Sequence, residues 1–524
     1  MNRSHPLESW LHRHVSRRSL LAGGLALCGL PYARVYAARP ASARRWTANP
    51  FALGVSSGDP TPDGVVLWTR IGADPLDGAI EPVPIDVTWE VAEDDRFATI
   101  VKRGATSARP EWAHSVHVEV EGLRPDRWYW YRFRTGSEES PIGRTRTLPA
   151  AGADVDRLRF AFASCQHYEQ GLFTAHRHLA NEDVNLIFHL GDYIYEGPGM
   201  DGRVRKHHGL ECIALDDYRR RYAQYQLDPD LQAAQAACPW FVTPDDHEVD
   251  NNYAGELSER LDPVDVFLLR RAAAYQAYYE HMPLRRSSVP RGPSLQLYRQ
   301  CSYGTLASFC ILDTRQYRTD QPCGDGSKAP CPAMADPAAT LLGADQERWL
   351  FDALDKSRAR WHVIPQQVMM AKVDLAAGPD ERYSMDQWSA YDAGRTRVLD
   401  FFATRRPANP VVLTGDIHSS WVNDLKVDFR DPKSPAVATE LVGTSLSSGG
   451  DGSTGETRMK SMMAENPFVK YYNGQRGYVV CEMRRGFLTA DYRVVEYVSR
   501  PGAPMTLAAS FRIEDGKPGA VRDR

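Results

Sequence analysis

Cysteine is scarce in this chain, with nine in 524 residues. So thin a supply excludes a fold that depends on a disulfide scaffold. Cys323 and Cys331 bracket a Gly/Pro/Ser loop and are free to pair after export. Pairings among Cys212, Cys238, Cys301, Cys310 and Cys481 stay open. Long apolar runs are missing too. Beyond the N-terminal leader nothing reaches the ~18 consecutive apolar residues of a membrane span, so no stable membrane anchor is expected. There is no basic stripe with interleaved aromatics, which argues against a nucleic-acid partner. No repeat of solenoid length is present.

What is there begins with an export signal. Arg17-Arg18 precede the apolar run Leu20–Leu30, and Val35-Tyr36-Ala37 follows with a small residue at its end. A basic region, an apolar core and a small-residue end make a secretory signal, and the paired arginines mark the twin-arginine route. Residues 1–37 are expected to be removed near Ala37 or Ala38. The export machinery is then a partner, and the mature protein is periplasmic or extracellular. Cys28 lacks the preceding small residue that lipid attachment wants. The leader carries five arginines and one glutamate, so cleavage takes the formal charge from −4 to −8.

Residues 50–148 read as a separate all-β domain. Val65–Arg70, Ile85–Val91, Ser115–Val120 and Trp128–Arg134 are short β-rich runs divided by turn residues. Gly122-Leu123-Arg124-Pro125 ahead of Trp128-Tyr129-Trp130-Tyr131 resembles the tyrosine corner of a fibronectin-type sandwich. No cluster of His, Cys or acidic residues lies here, so the domain is expected to pack or to gate rather than to catalyse. Ala150–Asp156 reads as a linker.

From Arg157 to about residue 510 strands and helices alternate, which predicts a layered α/β domain. Strands are expected at Leu158–Phe162, Leu186–Leu190, Trp240–Thr243, Ala307–Leu312, Trp361–Ile364 and Val411–Thr414. Helices are expected at Leu172–Asn181, Leu215–Tyr225, Asp265–Glu280, Ala344–Ser357 and Tyr391–Thr404. Cys323–Leu342 reads as a surface insertion, and Leu446–Met463 as a mobile stretch.

Polar chemistry sits at the strand ends. Ser164-Cys165-Gln166-His167 follows the first strand and Gly191-Asp192-Tyr193-Ile194-Tyr195-Glu196 the second. Later ends carry Asp245-Asp246-His247-Glu248, Asp313-Thr314-Arg315 and Gly415-Asp416-Ile417-His418. Ligand sites in open α/β sheets lie outside the carboxyl ends of strands. Cys165, Asp192 and Tyr195 are therefore expected to converge, and a thiolate, a carboxylate and a phenolate suit a hard, highly charged metal ion. Oxygen donors suit calcium, magnesium or manganese, while imidazole and thiolate suit iron or zinc. Two such ions ~3.5–4 Å apart clamp a phosphoryl group.

Gly191-Asp192, Asp246-His247-Glu248 and Gly415-Asp416-Ile417-His418 resemble the signatures of the calcineurin-like metallophosphoesterases. With the twin-arginine leader, Ser164-Cys165-Gln166 and Asp245–Asn252, nearly the whole chain resembles the secreted PhoD-like alkaline phosphatases. The resemblance implies an α-β-β-α layered sandwich behind an N-terminal fibronectin- or Ig-like domain. It implies hydrolysis of phosphate esters by metal-activated water, with a phosphodiesterase or phospholipase-type hydrolase as the alternative. It also implies ferric iron (Fe3+) beside calcium (Ca2+). By position, Cys165, Asp192, Tyr195 and His418 would hold iron. Asp192 would bridge to calcium, and Asp246, Asp416 and Asn252 would add calcium oxygens. His247 would bond the phosphate or protonate the leaving alkoxide, and Arg315 would clamp phosphate. Zinc or manganese in place of iron is the other metal reading. A secreted binding protein with structural metals is the non-enzymatic one.

Other polar residues have plainer roles. His176, His178, His207 and His208 are expected to face solvent or to serve structure. Tyr218, Tyr222, Tyr225, Tyr275, Tyr278 and Tyr279 are expected in the core. Gln366-Gln367 follows a strand, where one amide is within reach of the site. Asp313 is a structural strand-end carboxylate as readily as a catalytic one.

Overall fold

The apolar runs become strands because both of their faces are covered. Ile187 joins one buried cluster while its neighbours Leu186 and Phe188 join another. Val412 likewise parts from Val411 and Leu413. Parallel strands covered on both faces read as continuous apolar sequence rather than as an alternation. This architecture comes from a computed structural model that describes residues 46–524, apart from 77 and 79 and the side chains of 458, 459, 461 and 462. The expected leader, 1–37, lies outside the described residues.

The first part supplies β1 (Val55–Thr61), β2 (Gly64–Arg70), β3 (Ile85–Ala92), β4 (Ile100–Ala108), β5 (Ser115–Glu121), β6 (Trp128–Thr135), β7 (Glu138–Glu139) and β8 (Gly143–Arg146). Then come β9 (Arg157–Ala163), α1 (Thr174–Leu179), β10 (Leu186–His189), α2 (Leu215–Gln226), α3 (Pro229–Ala237), β11 (Trp240–Val242) and α4 (Val264–His281). Next are β12 (Arg299–Tyr303), β13 (Ala307–Ile311), β14 (Ser327–Lys328), α5 (Gly343–Lys356), β15 (Trp361–Pro365), β16 (Tyr383–Ser384), α6 (Asp392–Arg405) and β17 (Pro410–Thr414). The chain closes with β18 (Ser420–Lys426), β19 (Ala436–Val442), β20 (Gly452–Ser453), α7 (Glu456–Glu465), β21 (Val469–Arg484), β22 (Phe487–Val495), β23 (Met505–Glu514) and β24 (Lys517–Arg522).

One course of pairing runs β5, β2, β1, β11, β10, β9, β21, β22, β23, β24, with β9, β10 and β11 mutually parallel. A second runs β12, β13, β15, β17, β19, β18, β21, in which β13, β15, β17 and β19 are parallel. The 16-residue β21 belongs to both. It pairs with β18 through Val469–Asn473 and with β9 through Val479–Arg484. Between the two courses lie Phe160, Phe188 and Phe241 with Phe309, Val363, Val411 and Leu413. The rings of Phe188 and Phe309 come within 4.9 Å of each other. A second buried cluster joins α1–α4 to β9–β11, and a third joins α5 and α6 to β15, β17 and β18. The six expected tyrosines are in the core.

The β-rich first part is tied to the rest. β3, β4, β6, β7 and β8 form their own five-stranded sheet, packed through Val87, Val91, Tyr131 and Phe133 on Val55, Leu67 and Val118. β1, however, meets β11 in parallel at Gly58 and Trp240, and residues 46–524 form one compact unit. The Tyr129 hydroxyl accepts from Arg124 N at 3.0 Å. Cys323 and Cys331 are joined. The stretch after Leu446 begins differently from the mobile loop expected: Ser447 and Ser448 are buried and hydrogen-bonded against the loop after β9.

Candidate metal centre

Four loops leaving the ends of β9, β10, β11 and β17 meet. Cys165 N donates to Gly191 O at 3.1 Å and Gln166 N to Asp192 O at 3.0 Å, which locks the first two together. The buried Glu248 carboxylate collects the N–H groups of Asp192, Tyr193 and Asp245, joining the second to the third. Gly191 lies at φ +105, and a Cβ there would come 2.4 Å from Asp245 Cβ, so only glycine allows this approach. A Cβ on Gly415 would come 2.6 Å from Ser164 Oγ, the matching constraint between the β17 and β9 loops.

Left-handed backbone recurs at these ends. Cys165 (φ 61), Asp192 (φ 57), Asn252 (φ 50), Asp416 (φ 62) and His418 (φ 55) all adopt it. Each such residue costs on the order of 1 kcal/mol, and strain of this kind gathers at functional sites. The turn is what swings each side chain off its strand axis and into one shared space.

There Cys165, Asp192 and His418 bring donor atoms within 4.8 Å of one another; so do Asp192, Asp246 and His247, and so do Asp245, Asp246 and Asp416. Asp192 and Asp246 each belong to two sets, which chains the three together. The Tyr195 hydroxyl donates to Asp192 Oδ2 at 2.8 Å and stands 3.1 Å from His418 Nε2. His247 Nδ1 is 2.7 Å from Glu196 Oε2, and its ring lies 4.1 Å from that of Tyr195. Asn252 donates its backbone N–H to Asp246 Oδ2 at 2.7 Å. Arg315 is 0 % exposed; it donates to Asp245, to Asp386 at 2.7 Å and to Asp416 at 3.5 Å, with Asp246 at 3.7 Å. All of its forked donors therefore face carboxylates.

The charge in this space is unbalanced. Burial, reinforced by Asp192, pushes the Cys165 thiol and the Tyr195 phenol well above their usual ranges. Burial raises Asp245 strongly and Asp416 to about 7, even though Arg315 opposes both. Burial also works against charge on His247, but Glu196, Asp246 and Asp192 outweigh it and hold the imidazolium well above its ordinary range. Asp192 Oδ1, Asp245 Oδ2 and Asp246 Oδ1 are buried with no hydrogen-bond partner. Unpartnered buried carboxylate oxygens are costly, and Arg315 with the His247 imidazolium does not neutralise Asp192, Asp245, Asp246 and Asp416, since Asp386 and Glu196 share those two cations. The donor set therefore fits cations, with sulfur, phenol and imidazole on one side and carboxylates on the other.

Several neighbours carry no motif in the sequence. Ser448 Oγ lies 2.7 Å from the Tyr195 hydroxyl, and Arg476 donates to the backbone carbonyls of His418 and Ser448. Asp386 receives Arg315 and Arg318, and Gln387 donates to Asp416. The His167 ring lies 4.3 Å from that of Tyr195, tilted by 34°. His207 lies 5.1 Å behind it, with Nδ1 bonded to Gly197 O and Nε2 to the Tyr225 hydroxyl, a structural histidine. His176 is buried against Gln166. Gln367 holds Thr314 and Thr243 at the strand ends, and Asp313 accepts the N–H groups of Arg315 and Gln316.

Parallel strands that end in left-handed turns around a thiol, imidazoles and orphaned carboxylates define a metal-binding α/β protein. The family can be given more narrowly. The sequence model of the PhoD-like phosphatases matches residues 160–492, and that of their N-terminal domain matches residues 37–149. The chain belongs to the PhoD-like phosphatase family. It is 49% identical to alkaline phosphatase D of Bacillus subtilis (strain 168), over 98% of this chain and 90% of that one. A solved structure of PhoD superposes with a TM-score of 0.90 at 50% identity, covering 92% of this chain and 94% of that one. No helix among the described residues is long and apolar enough to cross a membrane.

Proposed function

We propose that this chain is an exported, metal-dependent alkaline phosphatase that hydrolyses phosphate esters. The observation that carries the reading is the set of orphaned buried carboxylate oxygens on Asp192, Asp245 and Asp246, in linked donor sets that also hold Cys165, His247, His418 and Asp416. The 49% identity to alkaline phosphatase D supports the reaction class. Cys165, Asp192, Tyr195 and His418 would hold ferric iron, since sulfur, phenolate and imidazole suit it. Asp192, Asp246, Asn252 and Asp416 would hold calcium through oxygen. Bound there, the cations supply Lewis acidity toward phosphoryl oxygens and lower the pKa of an attacking water.

The chain's own groups do the remainder. Glu196 ties up Nδ1 of His247 and, with Asp246 and Asp192, favours the imidazolium. Nε2 is then the atom that gives a proton to the departing alkoxide. Arg315 holds Asp245, Asp386 and Asp416 at fixed separations. The two courses of strands with helical clusters outside each are read as an α-β-β-α sandwich, and the first part as an Ig-like sandwich fused to it. The leader at residues 1–37 would send the folded protein through the twin-arginine machinery to the periplasm or beyond.

The test is elemental analysis with a visible spectrum on protein purified without added metals, followed by a panel of phosphate mono- and diesters. Stoichiometric iron with calcium, a tyrosinate-to-iron band and faster monoester turnover are expected. Far faster diester turnover would overturn the monoesterase assignment, and zinc or manganese in the iron position would overturn the iron assignment.

A further inference from the structure

The disulfide-closed loop Cys323–Cys331 reaches into the metal centre through one carboxylate. Asp325 Oδ1 and Oδ2 lie 3.0 and 2.9 Å from Nδ2 of Asn252. Asn252 in turn donates its backbone N–H to Asp246 Oδ2 at 2.7 Å. A carboxylate accepts and never donates, so it admits the amide nitrogen and repels the amide oxygen. Clamped this way, the Asn252 side chain has one orientation, with Oδ1 turned away from Asp325. Among the described residues no hydrogen bond is made to that Oδ1. The reverse orientation would set three acceptor oxygens against one another with no donor between them, which a half-buried site strongly disfavours.

The loop is built to hold Asp325 still. The disulfide joins its ends, Ser327 pairs with Ser384 and Lys328 with Tyr383, and Met385 N donates to Gly326 O at 2.9 Å. Just before the loop, Gln321 Nε2 donates to the Asn252 carbonyl at 2.9 Å and to Asp386, the carboxylate that also receives Arg315. Thus the amide orientation is fixed by a segment that a motif search passes over.

We propose that Asp325 is a positioning residue: it orients the Asn252 amide so that Oδ1 is presented to the calcium beside Asp246. The proposal rests on the calcium assignment made above. A carboxylate that orients a ligand through its non-ligating atom commonly changes metal affinity by ~10–100-fold when removed.

The experiment is calorimetric titration of calcium into full-length enzyme stripped of loosely held cations with a calcium chelator. Iron content and unfolding midpoint are measured on the same samples. Asp325→Ala is expected to weaken calcium binding ~10–100-fold while iron content and midpoint stay at wild-type values. Asn252→Ala is expected to weaken calcium as well, and the double variant is expected to match Asn252→Ala alone, because Asp325 acts only through that amide. Wild-type calcium affinity in Asp325→Ala would overturn the proposal. So would full additivity in the double variant, or loss of iron and calcium together with a lowered midpoint, which is the mark of a residue that merely holds the fold. If the wild-type enzyme binds no calcium at all, the calcium assignment itself fails and the proposal falls with it; that outcome is visible before any variant is made.

Discussion

Arg315→Gln separates two roles for the most deeply buried cation of the centre. As a phosphate clamp, Arg315 would contribute to substrate affinity and little to stability. As a brace between carboxylates, it would do the reverse. Its side chain is 0 % exposed and faces Asp245, Asp386 and Asp416. Removing one partner of a buried ionic network costs about 3–5 kcal/mol, because the other charges are left uncompensated. Among the described residues no other cation pairs with Asp245 or Asp416 in the metal-stripped protein, and Gln387 gives Asp416 only a neutral donor. Unfolding entropy of ~2.1 cal/mol/K per residue, summed over a compact unit spanning residues 46–524, gives roughly 1 °C per kcal/mol, so the unfolding midpoint of the stripped variant should fall by about 3–5 °C. Metal supplied in excess should recover part of that loss, since cations stabilise the same oxygens. Calorimetric scans with and without metal, set beside KM for a phosphate monoester, give both readouts. An unchanged stripped midpoint with KM raised tenfold or more would refute the brace and restore the clamp.

Other expectations are as direct. Tyr195→Phe removes a hydroxyl that contacts Asp192, His418 and Ser448, and should lower iron content by more than about half and abolish any tyrosinate band; elemental analysis and a spectrum check it. Gly191→Ala forces a Cβ to within 2.4 Å of Asp245 Cβ at φ +105 and should cost at least ~1–3 kcal/mol together with metal, read by denaturant unfolding and metal analysis. Phe188→Ala leaves a cavity between the two courses of strands and should cost about 3–5 kcal/mol, read the same way, with metal content unchanged in the folded protein.

The strands and most helices were legible because their burial is two-faced or helically periodic. The boundaries of β9, β10, β11, β13, β15 and β17 fall within a residue or so of the apolar runs. Two helices were not expected: α7, which falls largely in the stretch read as mobile, and α3, which has a readable start in Asp228 accepting from Asp230 N and Leu231 N ahead of Pro229 at the first helical position. Its short, alanine- and glutamine-rich body gave too weak an apolar stripe to announce it. The strands β18 and β19 were passed over because Asn423, Thr439 and Glu440 interrupt their apolar pattern. Glu440 is buried but satisfied: it accepts from Met370 N, Ala371 N, Thr414 and Asn423, while Oδ1 of Asn423 is buried without a hydrogen-bond partner. Such a network depends on partners tens of residues away, and a linear reading has no access to it.

The same limit divides the centre. Residues at strand ends were found because position and chemistry coincide in one short stretch, as in Gly191-Asp192 or Gly415-Asp416. Asp325, Asp386, Ser448 and Arg476 were not, because each reaches the centre from a loop that looks like an ordinary connection. What unites them is mechanical rather than chemical. Five left-handed residues and several crowded carboxylates form an arrangement that is costly in an isolated chain. It persists only if rigid neighbours hold it, and the neighbours that do so are these. Cations that satisfy the carboxylates would stabilise the very geometry that strains the backbone, so metal affinity and local stability should rise and fall together. Residues outside the proposed ligand set would then govern metal binding through how firmly they hold the turns, and sequence motifs, which record the proposed ligands, leave those residues out.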